Sequence, residues 1–179
     1  MTSERTLRIL ELTAVRELLA ERTSFTPSRE LAVAITPATD LAEAERRQDE
    51  TQAACDLVRA APSAGLRGAR DIRDALQRAR LGGMLDPEQL VGVAATVRAA
   101  EALFAHVRPY PPLAARTRFA RPPLEIAQAI EHAISPEAEV LDRASVALAS
   151  ARSELRSAQA RLQQRVDALV RSPALAKLL

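Results

Sequence analysis

The sequence predicts an all-α protein, a helical bundle with one long C-terminal helix of coiled-coil character. Aromatic residues make up only 2% of the 179 residues and tryptophan is absent. The core must therefore be built from leucine, alanine, valine and isoleucine, a composition that suits helices better than β-sandwiches. Apolar residues also recur at helical spacings along most of the chain. Near the C-terminus, leucines recur every seven residues from Leu141 to Leu169.

Helix signals divide the first half of the chain into short helices. The first helix carries an apolar stripe of leucine and alanine residues, at Leu7, Leu10, Ala14, Leu18 and Leu19. Cap residues, prolines in first turns and glycine stops predict its neighbours. The predicted helices cover residues 4–22 with a break near Thr13, then 26–34, 40–59 and 69–80.

A strong helix-start signal follows the Gly82-Gly83 stop. Asp86 is the predicted N-cap, Pro87 takes the first helical position and Gln89 completes a capping box. The helix to Val107 is apolar around much of its circumference, so we expect it in the middle of the core.

Residues 108–123 contain five prolines, four arginines and no acid. They are predicted to be the least regular segment and the boundary between a helical core domain, 1–123, and a second region, 124–179, unless the two form one continuous domain. Helices are predicted over 124–134 and 141–170, the second about 45 Å long if regular.

The long helix offers a candidate interaction seam. Alanines at positions 144, 151 and 158 accompany its leucines, and a Leu/Ala seam allows close approach of another helix. Alternatively, the helix crosses one side of a single bundle and the seam is internal core. The seam residues are Leu141, Leu148, Leu155, Leu162 and Leu169.

Motifs for catalysis and cofactor binding are not found in the sequence. It has no phosphate-binding loop, no glycine-rich dinucleotide turn and no nucleophile elbow. Its single cysteine, Cys55, excludes multi-cysteine zinc sites and is expected to be a buried structural thiol. We therefore predict no catalytic residue, cofactor or metal, and interpret acid pairs such as Glu43 and Glu45 as solvated surface.

The charge balance bears on partners and location. The 25 basic and 23 acidic residues give a formal charge of +2, which argues against a dedicated polyanion-binding protein. Uncharged stretches are about half as long as a transmembrane helix requires. No secretory signal is visible at the start of the sequence. We expect a cytoplasmic protein without membrane contact.

One basic segment nevertheless has a composition suited to nucleic acid. Arginines that contact phosphates and aromatic rings that stack on bases are typical of such surfaces. The alternative is a proline-rich loop that only covers a helical surface. The candidate contact residues are Arg108, Tyr110, Arg116, Arg118 and Arg121.

The segment from Gly68 to Leu76, followed by Leu81 to Leu90, combines a predicted helix, a double-glycine turn and a capped helix. In order and spacing these elements resemble the MutS2 family, bacterial MutS paralogues that lack the mismatch-recognition domains. Glu139 to Ser145 resembles its entry into a long lever helix. Further similar segments are residues 6–12, 28–32, 36–41 and 169–172. Ala138 departs from the pattern, because a glycine is expected there, and residues 108–123 match no family pattern.

The resemblance implies a part of a larger protein. Members are homodimeric ATPases connected with branched DNA, recombination control and the rescue of collided ribosomes. The chain resembles the core and lever portion, without the clamp, the returning lever helix, the ATPase or the nuclease domain, so no family catalytic residue maps onto it. We expect a mechanical and interaction element. Its expected partners are a second copy or the remainder of the parent protein, and DNA or the ribosome through that parent.

Overall fold

The computed structural model describes residues 4–117 and 121–170, and this part of the chain is all-α. The predicted fold class, including the long C-terminal helix, is confirmed. A single isolated antiparallel bridge, between Ile134 and Val140, is the only β pairing in the described residues. The helices are α1 (Glu4–Ile9), α2 (Leu12–Glu21), α3 (Thr26–Val33), α4 (Leu41–Ala60), α5 (Arg73–Arg80), α6 (Pro87–Val107), α7 (Pro111–Thr117), α8 (Leu124–Ala133) and α9 (Val146–Val170).

The chain forms two compact units, Met1–Ile130 and Glu131–Leu179. In the first unit α2 packs on α3, and both α4 and α6 pack on α7. In the second unit a short 3-10 turn, Asp142–Ala144, packs along α9.

The break in the N-terminal helix occurs at Glu11, two positions before the predicted Thr13. Glu11 has a φ of 51°, in the left-handed region, and separates α1 from α2. The apolar stripe predicted for this segment is largely exposed, with Leu10 65% and Leu18 60% exposed. The buried residue of α2 is Ala20 instead.

The start of α6 follows local sequence signals closely. The Asp86 carboxylate accepts a hydrogen bond from the Gln89 backbone N–H at 2.8 Å, and the Gln89 side chain accepts one from the Asp86 N–H at 3.1 Å. This reciprocal pair is the predicted capping box. α5 begins at Arg73, later than predicted, because the Arg70 backbone N–H donates to the Thr96 hydroxyl on α6 at 2.9 Å.

The proline-rich segment after α6 is more regular than predicted. A tight turn, in which the Tyr110 N–H donates to the Val107 carbonyl, leads into α7. Pro111 and Pro112 open this helix, where a missing N–H costs nothing. Five proline-free positions, 113–117, then form about a turn and a half of helix, and α7 packs on α4 and α6.

The long C-terminal helix begins at Val146, and the predicted start at Leu141 was wrong. Leu141 flanks the 3-10 turn instead, and its N–H donates to the Ala133 carbonyl at the end of α8 at 2.8 Å. The chain therefore folds back before α9 starts. The 25 residues of α9 correspond to about 37 Å.

Half of the buried positions among the described residues are alanines. α6 is the main contributor, as predicted, with Val93, Ala94 and Val97 among its buried residues. An alanine methyl group has little apolar area to bury, and each buried carbon stabilises the fold by only about 0.8 kcal/mol. Many larger apolar side chains remain exposed. α6 is also long and apolar enough to cross a membrane, but core helices of soluble proteins share these features, so this is weak evidence.

Candidate interaction surfaces

The distal half of α9 carries an exposed apolar stripe. Leu155, Leu162 and Leu169 are 57%, 64% and 60% exposed. None of the residues of α9 is buried. The structure thus places these three predicted seam residues together on one helix face, whereas Leu148 is half-buried and Leu141 lies outside the helix.

Two valines that sequence reasoning missed extend this surface. Val166 and Val170 are 45% and 66% exposed. A straight α-helix turns by about 20° less than two full turns per heptad, so a strict seven-residue repeat drifts around it. Val166 lies four residues after Leu162 and three before Leu169, and therefore continues the stripe. We call Leu155, Leu162, Val166 and Leu169 the distal stripe.

The base of α9 is rich in ion pairs. The Asp142 carboxylate accepts hydrogen bonds from Arg152 at 2.8 Å and from Arg156 at 3.4 Å. These guanidinium groups lower the pKa of Asp142, the hydrogen bond from Arg152 being the largest cause. Carboxylate and arginines together fix the first turns of α9 against the segment that precedes it.

The arginine-rich segment is only partly available for a polyanion. Arg116 donates two hydrogen bonds to Glu50 on α4, so a carboxylate already occupies its guanidinium. Arg108 and Arg121 are exposed, and Tyr110 is half-buried in the turn before α7. Arg118 lies outside the described residues. Among the four candidates that the structure describes, Arg116 is therefore ion-paired rather than a free basic group.

The orientation of α4 differs from the predicted one. Cys55 is exposed, so the expectation of a buried thiol was wrong. Its helix buries Ala53 and Leu57, and Cys55 lies about 200° around the axis from either residue. Glu43, interpreted as solvated surface, is half-buried and ion-paired with Arg46 and Arg47.

No group of three or more histidine, cysteine, aspartate or glutamate side chains in residues 4–117 and 121–170 is arranged to hold a metal ion.

Known relatives place the chain in a family. It is 38% identical over 174 residues to the endonuclease MutS2 of Symbiobacterium thermophilum, an alignment that covers 96% of this chain. The endonuclease MutS2 of Geobacillus sp. strain WCH70 is 34% identical over 182 residues, and that of Bacillus cereus strain Q1 is 32% identical over 183, each over 98% of this chain. The chain belongs to the MutS2 family. No protein-family model matches it.

The alignments with MutS2 proteins cover nearly all of this chain but only a small part of each relative. The chain spans 22% of the length of the Symbiobacterium protein and 23% of the Geobacillus and Bacillus proteins. Most of each MutS2 relative therefore has no counterpart in these 179 residues.

Proposed function

We propose that this chain is the non-catalytic core and lever portion of a MutS2-type protein and serves as a structural and interaction element. The observation that carries the proposal is α9. It is 25 residues long, none of its residues is buried, and its far half presents leucines and valines to solvent. A long helix with an uncovered apolar stripe is suited to contact another helix along its length.

The physical role of such a helix is to carry displacement. Backbone hydrogen bonds within a helix make it stiff along its axis, so that a shift at one end appears at the other. This role requires a helix whose base is held by packing and ion pairs and whose distal half is uncovered, as in α9. In a whole MutS2-type protein, α9 would couple movements of the regions at its two ends.

The activity of the parent protein belongs to regions beyond this similarity. The relatives are named endonucleases, and this chain corresponds to 22–23% of their length. We place nuclease and ATPase chemistry in the remainder of such a protein. The parent would be a cytoplasmic dimer that acts on DNA in recombination control or on collided ribosomes.

The distal stripe should drive self-association when no other helix covers it. Burying a leucine side chain completely contributes about 1.5–3 kcal/mol, and each stripe leucine is more than half exposed. Covering three of them would stabilise a complex by several kcal/mol before the entropic cost of association. A second copy of the chain brings the same stripe and can supply that cover.

Light scattering on the purified chain tests the proposal. We expect a mass above that of the monomer at micromolar concentrations. Leu155→Arg places a charge in the middle of the stripe and should restore the monomer. Ser157→Arg adds the same charge about 200° around the helix from Leu155 and should leave the mass unchanged.

The two variants separate the possible outcomes. A monomer at all concentrations, with Leu155→Arg fully helical by circular dichroism, would contradict an interaction role for the stripe. Loss of the folded state in Leu155→Arg but not in Ser157→Arg would show that the stripe is internal core, as in a self-contained helical domain. Dissociation in Leu155→Arg alone supports the proposal.

Direct nucleic-acid binding through residues 108–121 is the alternative, and it has less support because Arg116 is paired with Glu50. Salt-dependent binding of the chain to DNA or RNA, weakened by Arg108→Gln and Arg121→Gln, would favour it over the lever role.

A further inference from the structure

The segment between α8 and α9 forms a closed network of hydrogen bonds rather than an open linker. Its backbone turns back on itself, since the Ser135 N–H donates to the Glu139 carbonyl and the Leu141 N–H donates to the Ala133 carbonyl, both at 2.8 Å. These two bonds flank the Ile134–Val140 bridge. The Ser135 hydroxyl oxygen accepts from the Glu137 and Glu139 N–H groups and closes the turn.

An arginine on the far side of this turn caps α8. Arg143 Nε donates to the His132 carbonyl at 2.6 Å, and Arg143 Nη2 donates to the Glu131 carbonyl at 3.0 Å. Both carbonyls belong to the last turn of α8, where no backbone donor within the helix remains for them. The guanidinium therefore satisfies the helix end and fixes the 3-10 turn to it.

A second arginine ties α9 to the same segment. Arg152 Nη1, in the second turn of α9, donates to the Val140 carbonyl and to the Asp142 carboxylate, each at 2.8 Å. Arg156, one turn further on, reaches the other Asp142 oxygen. One aspartate thus connects two successive turns of α9 to the 3-10 turn.

We propose that residues 131–156 are a rigid joint in which Asp142, Arg143 and Arg152 lock the base of α9 to the last turn of α8, residues 131–133, so that these parts of the second unit move as one piece. Helices joined by ordinary loops can change their mutual angle, because such loops have few bonds that resist bending. Here Leu141 and Arg143 donate hydrogen bonds to the end of α8, and Val140 and Asp142 accept hydrogen bonds from α9. The consequence rests on the proposed lever role: displacement of α9 would reach the last turn of α8 undiminished.

The width of a distance distribution measures this rigidity. We would replace the single cysteine by serine and introduce spin labels at His132→Cys and Ala160→Cys, both on exposed positions of the second unit. Pulsed electron paramagnetic resonance should give one narrow distribution. Asp142→Asn and Arg152→Gln should each broaden it, and the double variant should broaden it no more than the larger single effect.

Arg161→Gln is the matched control, since Arg161 is an exposed arginine on α9 that has no ion pair within the described part of the chain. It should leave the distribution unchanged. If the distance distributions of the unmodified protein, Asp142→Asn and Arg152→Gln have the same width, the proposal is overturned. A broad distribution in the unmodified protein would also overturn it.

Salt provides a second test if a variant fails to fold. At 1 M salt the screening length falls to about 3 Å, which weakens the exposed contacts of Asp142 in the unmodified sequence. The distribution should then broaden, and a width that does not respond to salt would count against the joint. The measurement is independent of self-association when labelled chains are diluted with unlabelled ones, so the joint and the proposed lever contact can fail separately.

Discussion

The Arg116 guanidinium on α7 and the Glu50 carboxylate on α4 form a bidentate pair, with Nε–Oε1 and Nη2–Oε2 distances of 2.8 and 3.0 Å. The two residues are 66 positions apart in sequence, so the pair fixes a long-range contact between two helices. Glu50 also accepts from Arg46 within α4. A segment that looks basic in sequence is therefore partly neutralised in the fold.

Removing this pair should destabilise the protein modestly. Arg116→Met keeps the apolar stem and loses the charge. Because Arg116 is 58% exposed, water screens the pair, and we expect the free energy of unfolding to fall by about 1 kcal/mol. Urea unfolding followed by circular dichroism measures this change.

A double-mutant cycle with Glu50→Gln isolates the interaction. The coupling energy should be roughly 0.5–1 kcal/mol, because the residues are in contact and their effects do not add. Arg121→Met, on the same segment, is the control and should be nearly neutral. A coupling energy of zero would mean that the pair contributes nothing to stability.

The same carboxylate gives a pH dependence of defined sign. The hydrogen bonds from Arg116, and to a lesser extent those from Arg46, lower the pKa of Glu50 below its ordinary value. The pair therefore stabilises the fold above the pKa that Glu50 has in the unfolded chain. This contribution is lost as pH falls through the lower, folded-state pKa.

Unfolding curves between pH 7 and pH 3 test this sign. Stability should decline with acid, and the decline should be shallower in Glu50→Gln than in the unmodified protein. Asp142→Asn should act in the same direction, because Arg152 lowers the pKa of Asp142. A parallel decline in all three proteins would show that neither carboxylate is linked to folding.

Ala138 is the residue that departs from the MutS2 pattern, and its backbone conformation explains why glycine is expected there. It has a φ of 64°, in the left-handed region, at the position where the sequence resemblance led us to expect glycine. The left-handed conformation costs a residue with a Cβ about 1–2 kcal/mol. Glycine avoids this cost but loses more conformational entropy on folding.

Ala138→Gly should therefore stabilise the protein by about 0.5–1 kcal/mol, the balance of strain relief and entropy. Thermal unfolding should show a higher midpoint. Ala160→Gly, an exposed position within α9, makes the same chemical change in a right-handed helix and should lower it. If both variants were destabilised equally, the backbone at Ala138 would not be strained in solution.

Local signals predicted the elements whose bonds are local. The Asp86–Gln89 capping box lies within four consecutive residues, and Pro87 and the apolar run that follows agree with it, so the start of α6 could be predicted from sequence. The Asp40 cap of α4 is similar, because its carboxylate accepts from the Glu43 N–H three residues later.

Features that depend on distant partners could not be predicted in this way. The Glu50 side chain is only 21% exposed and pairs with Arg116. No spacing rule connects residues so far apart. The late start of α9 likewise depends on Asp142 meeting Arg152. The exposure of the apolar stripe in residues 4–22 could not be predicted either, because periodicity reports that a face is apolar but not whether anything covers it.

The distal stripe shows the same limit in the candidate site. The leucine repeat predicted one face of α9, and the structure keeps Leu155, Leu162 and Leu169 on it. Val166 was missed because the repeat was followed at seven residues rather than at the 3.6-residue period of a straight helix. The sequence thus predicted the apolar face of α9, and the helix geometry showed which residues belong to it.

The turn between α5 and α6 allows a sharp test of a backbone requirement. The Gly83 N–H donates to the Arg78 carbonyl and the Gly82 N–H donates to the Ala79 carbonyl, which is the pattern of a Schellman motif. Gly82 has a φ of 78°, and no atom lies within 4 Å of where its Cβ would be. Gly82→Ala thus introduces conformational strain without a steric clash, and should destabilise the fold by about 1 kcal/mol.

Gly65 is the matched control, since it also has open space around its Cβ position but no positive φ. Gly65→Ala should be neutral or stabilise by up to about 1 kcal/mol, because alanine reduces the entropy of the unfolded chain. Both variants can be compared in one series of urea unfolding curves. Equal stabilities would mean that α5 ends in solution without the left-handed glycine, whereas a loss confined to Gly82→Ala would show that this residue sets the direction in which the chain enters α6.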